Sequence, residues 1–250
     1  MPPIMAADGK KKLGKRDGAK DLLEYRTEGY LPEAMVNFLA LIGWNPGTDQ
    51  EIFSMAELID TFTLDKIQKS GGAFNEEKLL WMNKEYLQKM NPVAFSEYAI
   101  NALPEETKTL PNYTEEAAIK LAPTIQERVH TAREITETAI SGEYNFAFST
   151  PIVSADALKW KKDEHASDAI PRLQKAMELL QGANFTSPES IKSVVWDYAE
   201  EVGRGDLLWP LRVSLTGMER SPDPFMCAYI IGKDETILRI NNAVTTLETS

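Results

Sequence analysis

Leu31-Pro32-Glu33-Ala34-Met35-Val36-Asn37-Phe38-Leu39-Ala40-Leu41-Ile42-Gly43 is the stretch on which the fold reading turns. Met35, Phe38, Leu39 and Ile42 recur at helical spacing, Leu31-Pro32-Glu33 opens the run, and Gly43 closes it. The same grammar repeats outward in both directions. Ser54-Met55-Ala56-Glu57 has capping-box spacing ahead of Leu58, Ile59 and Phe62. Asn75 is placed to cap a helix bearing Leu79, Leu80, Met82, Tyr86, Leu87 and Met90, which Asn91-Pro92 breaks. Further helices are expected over 95–103, from Thr114 through Ile125 with a kink or break near Pro123, and over 131–140 up to Ser141-Gly142.

Beyond Ser149-Thr150-Pro151 the pattern continues with helices over 154–161, 166–180 and 188–202, the last with Ser187 as cap and Pro188 at its first position. Gly203-Arg204-Gly205 reads as a turn, 210–215 as a helix begun by Pro210, and 223–231 and 234–244 as the closing pair. Residues 104–112 read as loop. Strands are scarce; the best candidates are short pieces near Ile4 and near Phe53. The expectation is an all-α chain in three units, 1–91, 92–150 and 151–250.

The 250 residues are 43% apolar and 26% charged, an ordinary globular composition. No window approaches a membrane span and no secretory signal opens the chain. The single Cys227 has no internal disulfide partner, which fits a reducing cytoplasm. A net charge of −11 argues against unspecific nucleic-acid binding, but the charge is lopsided. Residues 1–20 carry Lys10, Lys11, Lys12, Lys15, Arg16 and Lys20 against Asp8 and Asp17. Phosphate binding needs only such a local patch. Within it, Asp8-Gly9-Lys10-Lys11-Lys12-Leu13-Gly14-Lys15-Arg16-Asp17-Gly18 is a glycine-flanked basic loop, suited to close backbone approach to an anion. Alone, such a stretch is more often a solvated tail.

Its company changes the odds. Arg16-Asp17-Gly18-Ala19, Glu24-Tyr25-Arg26, Gly29-Tyr30-Leu31-Pro32-Glu33-Ala34 and Asn37-Phe38-Leu39-Ala40-Leu41-Ile42-Gly43-Trp44 run in one register. Phe74-Asn75-Glu76-Glu77-Lys78-Leu79 and Trp81-Met82-Asn83 follow, then Pro210-Leu211-Arg212, Leu215-Thr216-Gly217, Ser221-Pro222 and Ile231-Gly232-Lys233. Together they resemble the C-terminal portion of bacterial-type glutamate–tRNA ligases, from the second class I signature onward. Lys12-Leu13-Gly14-Lys15-Arg16 is similar to that family's variant of the KMSKS loop, with Gly14 where serine is usual.

The resemblance implies a fold and a division of labour. A helical stem-contact domain would be followed by two helical anticodon-binding domains. Lys12 and Lys15, with Gly14 and Arg16, would close on ATP and stabilise the departing pyrophosphate as glutamyl-adenylate forms. ATP would arrive with Mg2+. Arg128 would read the last anticodon base, and Arg212, Ser221 and Pro224 would approach the other two. The partner is tRNA(Glu), the setting cytoplasmic, and the protein a monomer. The family's His-x-Gly-His signature has no counterpart here, since neither His130 nor His165 lies in that context. The chain therefore reads as a piece of a longer enzyme, able to bind tRNA but not to activate glutamate. The alternative is a helical protein-interaction module or paralogue derived from such a ligase; a self-contained nucleotide-dependent enzyme would lack a nucleotide fold. His130 reads as a surface residue, and His165 lacks partners at metal-ligand spacing, so no metal is expected. Trp44, Trp81, Trp196 and Trp209 read as core; Trp160, flanked by Lys159, Lys161 and Lys162, could stack on a base.

Overall fold

A computed structural model describes residues 4–6, 9–14 and 20–250; Lys15 and Arg16 of the basic loop lie outside the described residues. The elements there are helices: α1 (Leu22–Thr27), α2 (Pro32–Gly43), α3 (Met55–Thr61), α4 (Glu76–Lys89), α5 (Pro92–Ala102), α6 (Glu105–Lys108), α7 (Glu115–Gln126), α8 (Ala132–Ile140), α9 (Asn145–Phe148), α10 (Ala155–Leu158), α11 (Ile170–Gln181), α12 (Pro188–Val202), α13 (Arg204–Thr216), α14 (Pro224–Ile231) and α15 (Lys233–Glu248). Only isolated β-bridges join them among the described residues. The chain divides into two compact units, one of 1–102 with 125–137, the other of 103–124 with 138–250.

In the first unit α2 packs on α4. Tyr25, Met35, Phe38, Leu79 and Met82 form its core, with Phe74 edge-on to Phe38 at 5.0 Å between ring centroids. Two buried asparagines tie the loops to this helix pair. Asn83 accepts from Leu31 N at 2.7 Å, fixing the entry to α2, and its amide donates to the His130 carbonyl. Asn37 accepts from Phe53 N at 2.9 Å and from the Tyr86 hydroxyl at 2.9 Å. These bonds hold the 53 region without a strand ladder, so the strand expected near Phe53 does not form. Near Ile4 the expectation fares better: Met5 bridges Lys12 antiparallel and Ala73 in parallel.

In the second unit α11 packs on α15, and α12 on α13 and α14. Leu173, Ala176 and Leu180 face Ile240, Ala243 and Val244 as apolar stripes at helical spacing, all buried. The two prolines expected to shape helices fall differently: α7 continues through Pro123 and ends at Gln126, and α13 begins at Arg204 instead of at Pro210 and runs unbroken to Thr216. Proline removes one intrahelical bond. The buried Leu207, Leu211 and Leu215 on one stripe of α13 outweigh that loss. The turn expected at 203–205 is correspondingly shorter. Gly203 alone, at φ +105°, turns the chain, and Gly205 is already helical beneath the Trp160 ring, 2.5 Å from where a Cβ would stand. The 104–112 loop contains the single-turn α6.

Candidate nucleic-acid interface

The described part of the basic loop, Gly9 to Gly14, folds back on Ile4, Met5 and Ala6 as a hairpin on a firm base. Ala6 N donates to Lys11 O at 2.8 Å and Leu13 N to Ile4 O at 2.9 Å, while Gly9, at φ +66°, makes the bend. Met5 N donates to Gly72 O and Phe74 N to Met5 O, both at 2.9 Å. Gly72 is itself pressed onto the end of α2, where a Cβ would lie 2.0 Å from Ile42 O. The hairpin is thus pinned to the core that holds Phe74, and Lys12 stands exposed on its outer strand, with Gly14 partly covered beyond it. Lys20, by contrast, is committed. It pairs with Glu76 at 2.5 Å and Glu28 at 3.1 Å, and the Glu76 carboxylate above all raises its pKa.

Arg128 is exposed on the turn that follows α7 rather than within a helix. That turn is held on every side. Gln126 Nε2 donates to Leu87 O at 2.7 Å and Met90 O at 3.1 Å, and Val129 is buried behind it. His130 N and Nδ1 both engage Glu134 Oε2, at 2.7 and 3.0 Å. His130 is therefore a half-buried structural residue that orients the turn, not a free base. An arginine carried on a turn so constrained presents its guanidinium with little backbone freedom to lose.

Arg212 lies half-buried on α13, its Nε without a partner among the described residues. Gly217, left-handed at φ +69°, ends the helix and starts the loop to α14. Asp223 caps α14 by accepting from Phe225 N at 3.0 Å and Met226 N at 3.1 Å, with the buried Pro224 at the first helical position. Ser221 hydrogen-bonds Pro222 O at 2.8 Å and lies 3.9 Å from the Cys227 thiol. Burial pushes that thiol up to about 12, against the opposing pull of Ser221 and of the Arg212 charge. Arg212, Ser221 and Pro224, close together in the chain, thus lie on α13, on the loop that follows it and at the start of α14, with the Ser221 hydroxyl and the Arg212 charge near Cys227.

Trp160 does not offer its face to solvent. Its ring packs on Trp209 at 5.6 Å, over Gly205, with Lys161 on the remaining side at 5.0 Å. Asp163, nearly buried, accepts from Trp160 N at 3.1 Å and from Arg172 at 2.6 Å, so the lysine-flanked loop is a structural knot rather than a stacking platform. Trp81 is the tryptophan left well exposed, at 39%, against the core placement expected for it.

Sequence reasoning passed over Arg239. It is 1% exposed, donating from Nη1 to Phe146 O at 2.7 Å and Leu215 O at 2.5 Å, from Nη2 to Ser149 O at 3.0 Å, and from Nε to Glu235 at 2.7 Å. Its signal was an arginine standing inside the stripe Thr236, Ile240, Ala243, Leu247. The Leu215 bond anchors the last turn of α13, three residues beyond Arg212. Among the described residues no three His, Cys, Asp or Glu side chains are grouped to hold a metal, and no helix is long and apolar enough to cross a membrane.

Comparison with known proteins bears on both regions. Residues 77–244 match the family profile "Anticodon binding domain", and residues 2–81 match "tRNA synthetases class I (E and Q), catalytic domain". The chain is 33% identical over 265 residues to the glutamate–tRNA ligase of Flavobacterium johnsoniae, covering 99% of this chain and 50% of that one. It is 34% identical to that of Clostridium novyi, with the same coverage. It thus spans about half the length of the curated relatives it matches. Among solved structures, a glutamate tRNA ligase from Elizabethkingia meningosepticum in complex with its amino acid superposes at TM-score 0.76 with 34% identity. A glutamate–tRNA synthetase from Elizabethkingia anophelis gives 0.71 with 33%. Each covers 98% of this chain with 50% of its own.

Proposed function

The chain belongs to the glutamate–tRNA ligase family, matching its C-terminal half, and from that premise we propose that these residues bind tRNA(Glu) by its anticodon arm and present a phosphate loop to ATP. The observation that carries the reading is the helical region 77–244 with its anticodon-binding profile. Arginines on rigid supports suit the task. Splayed loop bases are read by fixed hydrogen-bond donors, and phosphates by cations. Arg128 on its braced turn takes the last anticodon base. Arg212, with its uncommitted Nε, takes the first two together with Ser221 and Pro224. The boundaries 1–91, 92–150 and 151–250 stand as the proposed stem-contact and anticodon-binding domains of a cytoplasmic monomer.

In the whole enzyme ATP supplies the leaving pyrophosphate, with Mg2+ bound to it. Lys12, exposed on the hairpin, and Lys15 neutralise charge that grows on the phosphates as glutamyl-adenylate forms. A polypeptide of these 250 residues alone binds tRNA without forming adenylate, because no strand, glycine-rich turn and helix unit is present among its described residues to seat a nucleotide. Filter binding with a tRNA(Glu) transcript over a salt series is the test, run beside glutamate-dependent ATP–pyrophosphate exchange. Salt-sensitive tRNA binding with exchange at background supports the proposal. No tRNA binding at low salt would favour a protein-interaction module derived from the ligase, and exchange above background would refute the assignment of activation to other residues.

A further inference from the structure

The second unit holds a polar hollow of about 240 Å³ where Asn112 and the first turns of α7 meet the junction of α14 and α15 at Gly232. That is below the roughly 300–1,000 Å³ of sites for drug-sized ligands, and it admits a small metabolite rather than a nucleotide. Four charged side chains line it, Glu116, Lys120, Glu235 and Arg239. Glu235 keeps one oxygen in reserve. Thr150 at 2.5 Å, Arg239 Nε at 2.7 Å and Asn112 at 3.1 Å all donate to its Oε1, and none of them to Oε2. Asn112 gives its amide hydrogens to Glu235 and to Thr150 at 3.2 Å, so its amide oxygen remains an open acceptor. Lys120 is held by Glu116 at 2.7 Å and lies over the Tyr229 ring at 5.1 Å, which steadies the ammonium group and leaves it hydrogens to donate. Thr114 accepts from Ala117 N at 3.1 Å and keeps its own hydroxyl hydrogen.

We propose that this hollow binds a free α-amino acid with a short apolar side chain. The ligand's ammonium group donates to Glu235 Oε2 and to the Asn112 amide oxygen, and its carboxylate accepts from Lys120 and from the Thr114 hydroxyl. The charges of the lining select a zwitterion. Two carboxylates and two cations balance there, so a ligand of net charge would leave one open group unmatched, whereas a zwitterion answers both Glu235 and Lys120. Arg239 is not available to a second acid group, since its nitrogens are engaged by Glu235 and by the carbonyls of Phe146, Ser149 and Leu215. The remaining wall includes Ala117, Ala147, Ile230 and Ile231. Two alanines beside two isoleucines suit a side chain of about valine's size and offer nothing to the extra carboxylate of glutamate. Because the ligand joins α7 to the start of α15, binding should stabilise the second unit by mass action.

The test is a calorimetric titration of residues 1–250 with L-valine, run beside thermal melts. Valine should fit a single site, and at about ten times its Kd should raise the melting midpoint of the second unit by roughly 4–6 °C. N-acetyl-L-valine lacks the ammonium group and L-valinamide lacks the carboxylate, so each should bind about tenfold or more weakly. Glu235→Gln should lose a similar factor, but it also loosens Arg239, so Lys120→Met carries the decision. The methionine keeps an apolar stem over Tyr229, and the pair that it removes is with the exposed Glu116. The unliganded melt should therefore stay within about 2 °C of wild type while valine affinity falls about tenfold or more. Absence of saturable valine binding overturns the proposal. So does valinamide binding as tightly as valine, which would make the hollow a cation site, or equal valine affinity in wild type and Lys120→Met. Tighter binding of L-glutamate than of L-valine at this hollow would overturn it as well.

Discussion

Replacing Arg239 with alanine should be the most damaging single substitution in the second unit. The side chain is 1% exposed and serves four acceptors, the carbonyls of Phe146, Ser149 and Leu215 and the carboxylate of Glu235. Burial lowers its pKa while Glu235 opposes that pull. Breaking a buried, hydrogen-bonded charge pair costs about 3–5 kcal/mol, and each carbonyl left dry adds roughly 1–3 kcal/mol. Water entering the vacated space recovers part of this, so we expect a net loss of about 4 kcal/mol. For a unit of this size that corresponds to a fall in Tm of roughly 12–16 °C. Glu235 also accepts from Thr150 at 2.5 Å and Asn112 at 3.1 Å, so it is not left wholly unpaired. Arg239→Lys keeps the charge but offers a point rather than a fork, and should recover less than half. Because Leu215 O lies in the last turn of α13, tRNA affinity should fall with stability as Arg212 loses its support. Urea unfolding of the three proteins measures the loss. Under 1 kcal/mol for Arg239→Ala would show that the carbonyls find other partners and that the cluster is incidental.

Gly29→Ala should destabilise the first unit by about 3 kcal/mol, since Gly29 sits at φ +83° with its Cβ position 2.4 Å from Ala132 Cβ; a urea midpoint unchanged from wild type would contradict the packing described. Cys227 should resist iodoacetamide at pH 8 at least about a hundredfold better than in 6 M urea. Its folded pKa of about 12 lies above the ordinary 9.0, so the unfolded thiol ionises first and stability should drain away as pH rises from 9.0 towards 12; rapid native labelling would refute this. Arg128→Gln should narrow the preference for tRNA(Glu) over tRNA(Gln), which differ at the last anticodon base, by roughly tenfold to a hundredfold. Arg212→Ala should weaken both alike. A competition assay in which Arg128→Gln lowers both affinities without moving the ratio would make Arg128 a phosphate anchor instead.

How much of this was legible depended on where the deciding information sits. Helices α2, α4 and α12 were readable because their signals are local: Pro32, Asn75 and Ser187-Pro188 at the starts, and apolar residues at helical spacing after them. The run of α13 through Pro210 was not, because a proline's local cost is outweighed only by partners from distant helices. Single-turn helices such as α6 and α9 carry no period to detect. Among functional candidates, Arg212, Ser221 and Pro224 are neighbours in the chain, but only the packing of α13 on α14 shows the Ser221 hydroxyl and the Arg212 charge near the buried Cys227. Trp160 looked available because its neighbours are lysines; the Trp209 ring and Gly205 that claim it come from 45 residues or more downstream. Arg239 was overlooked because a charged residue in an apolar stripe looks like an exception until its carbonyl partners are known.

The claim that this chain reads an anticodon is tested most directly with a short RNA. A labelled anticodon stem-loop of tRNA(Glu) is titrated by fluorescence anisotropy against residues 1–250, beside the same stem-loop with its three anticodon bases replaced. Each base read by side chains contributes roughly 1–3 kcal/mol, so the replaced loop should bind on the order of a hundredfold or more weakly. Equal binding of the two stem-loops would contradict the account, because the contact would then be to phosphates alone.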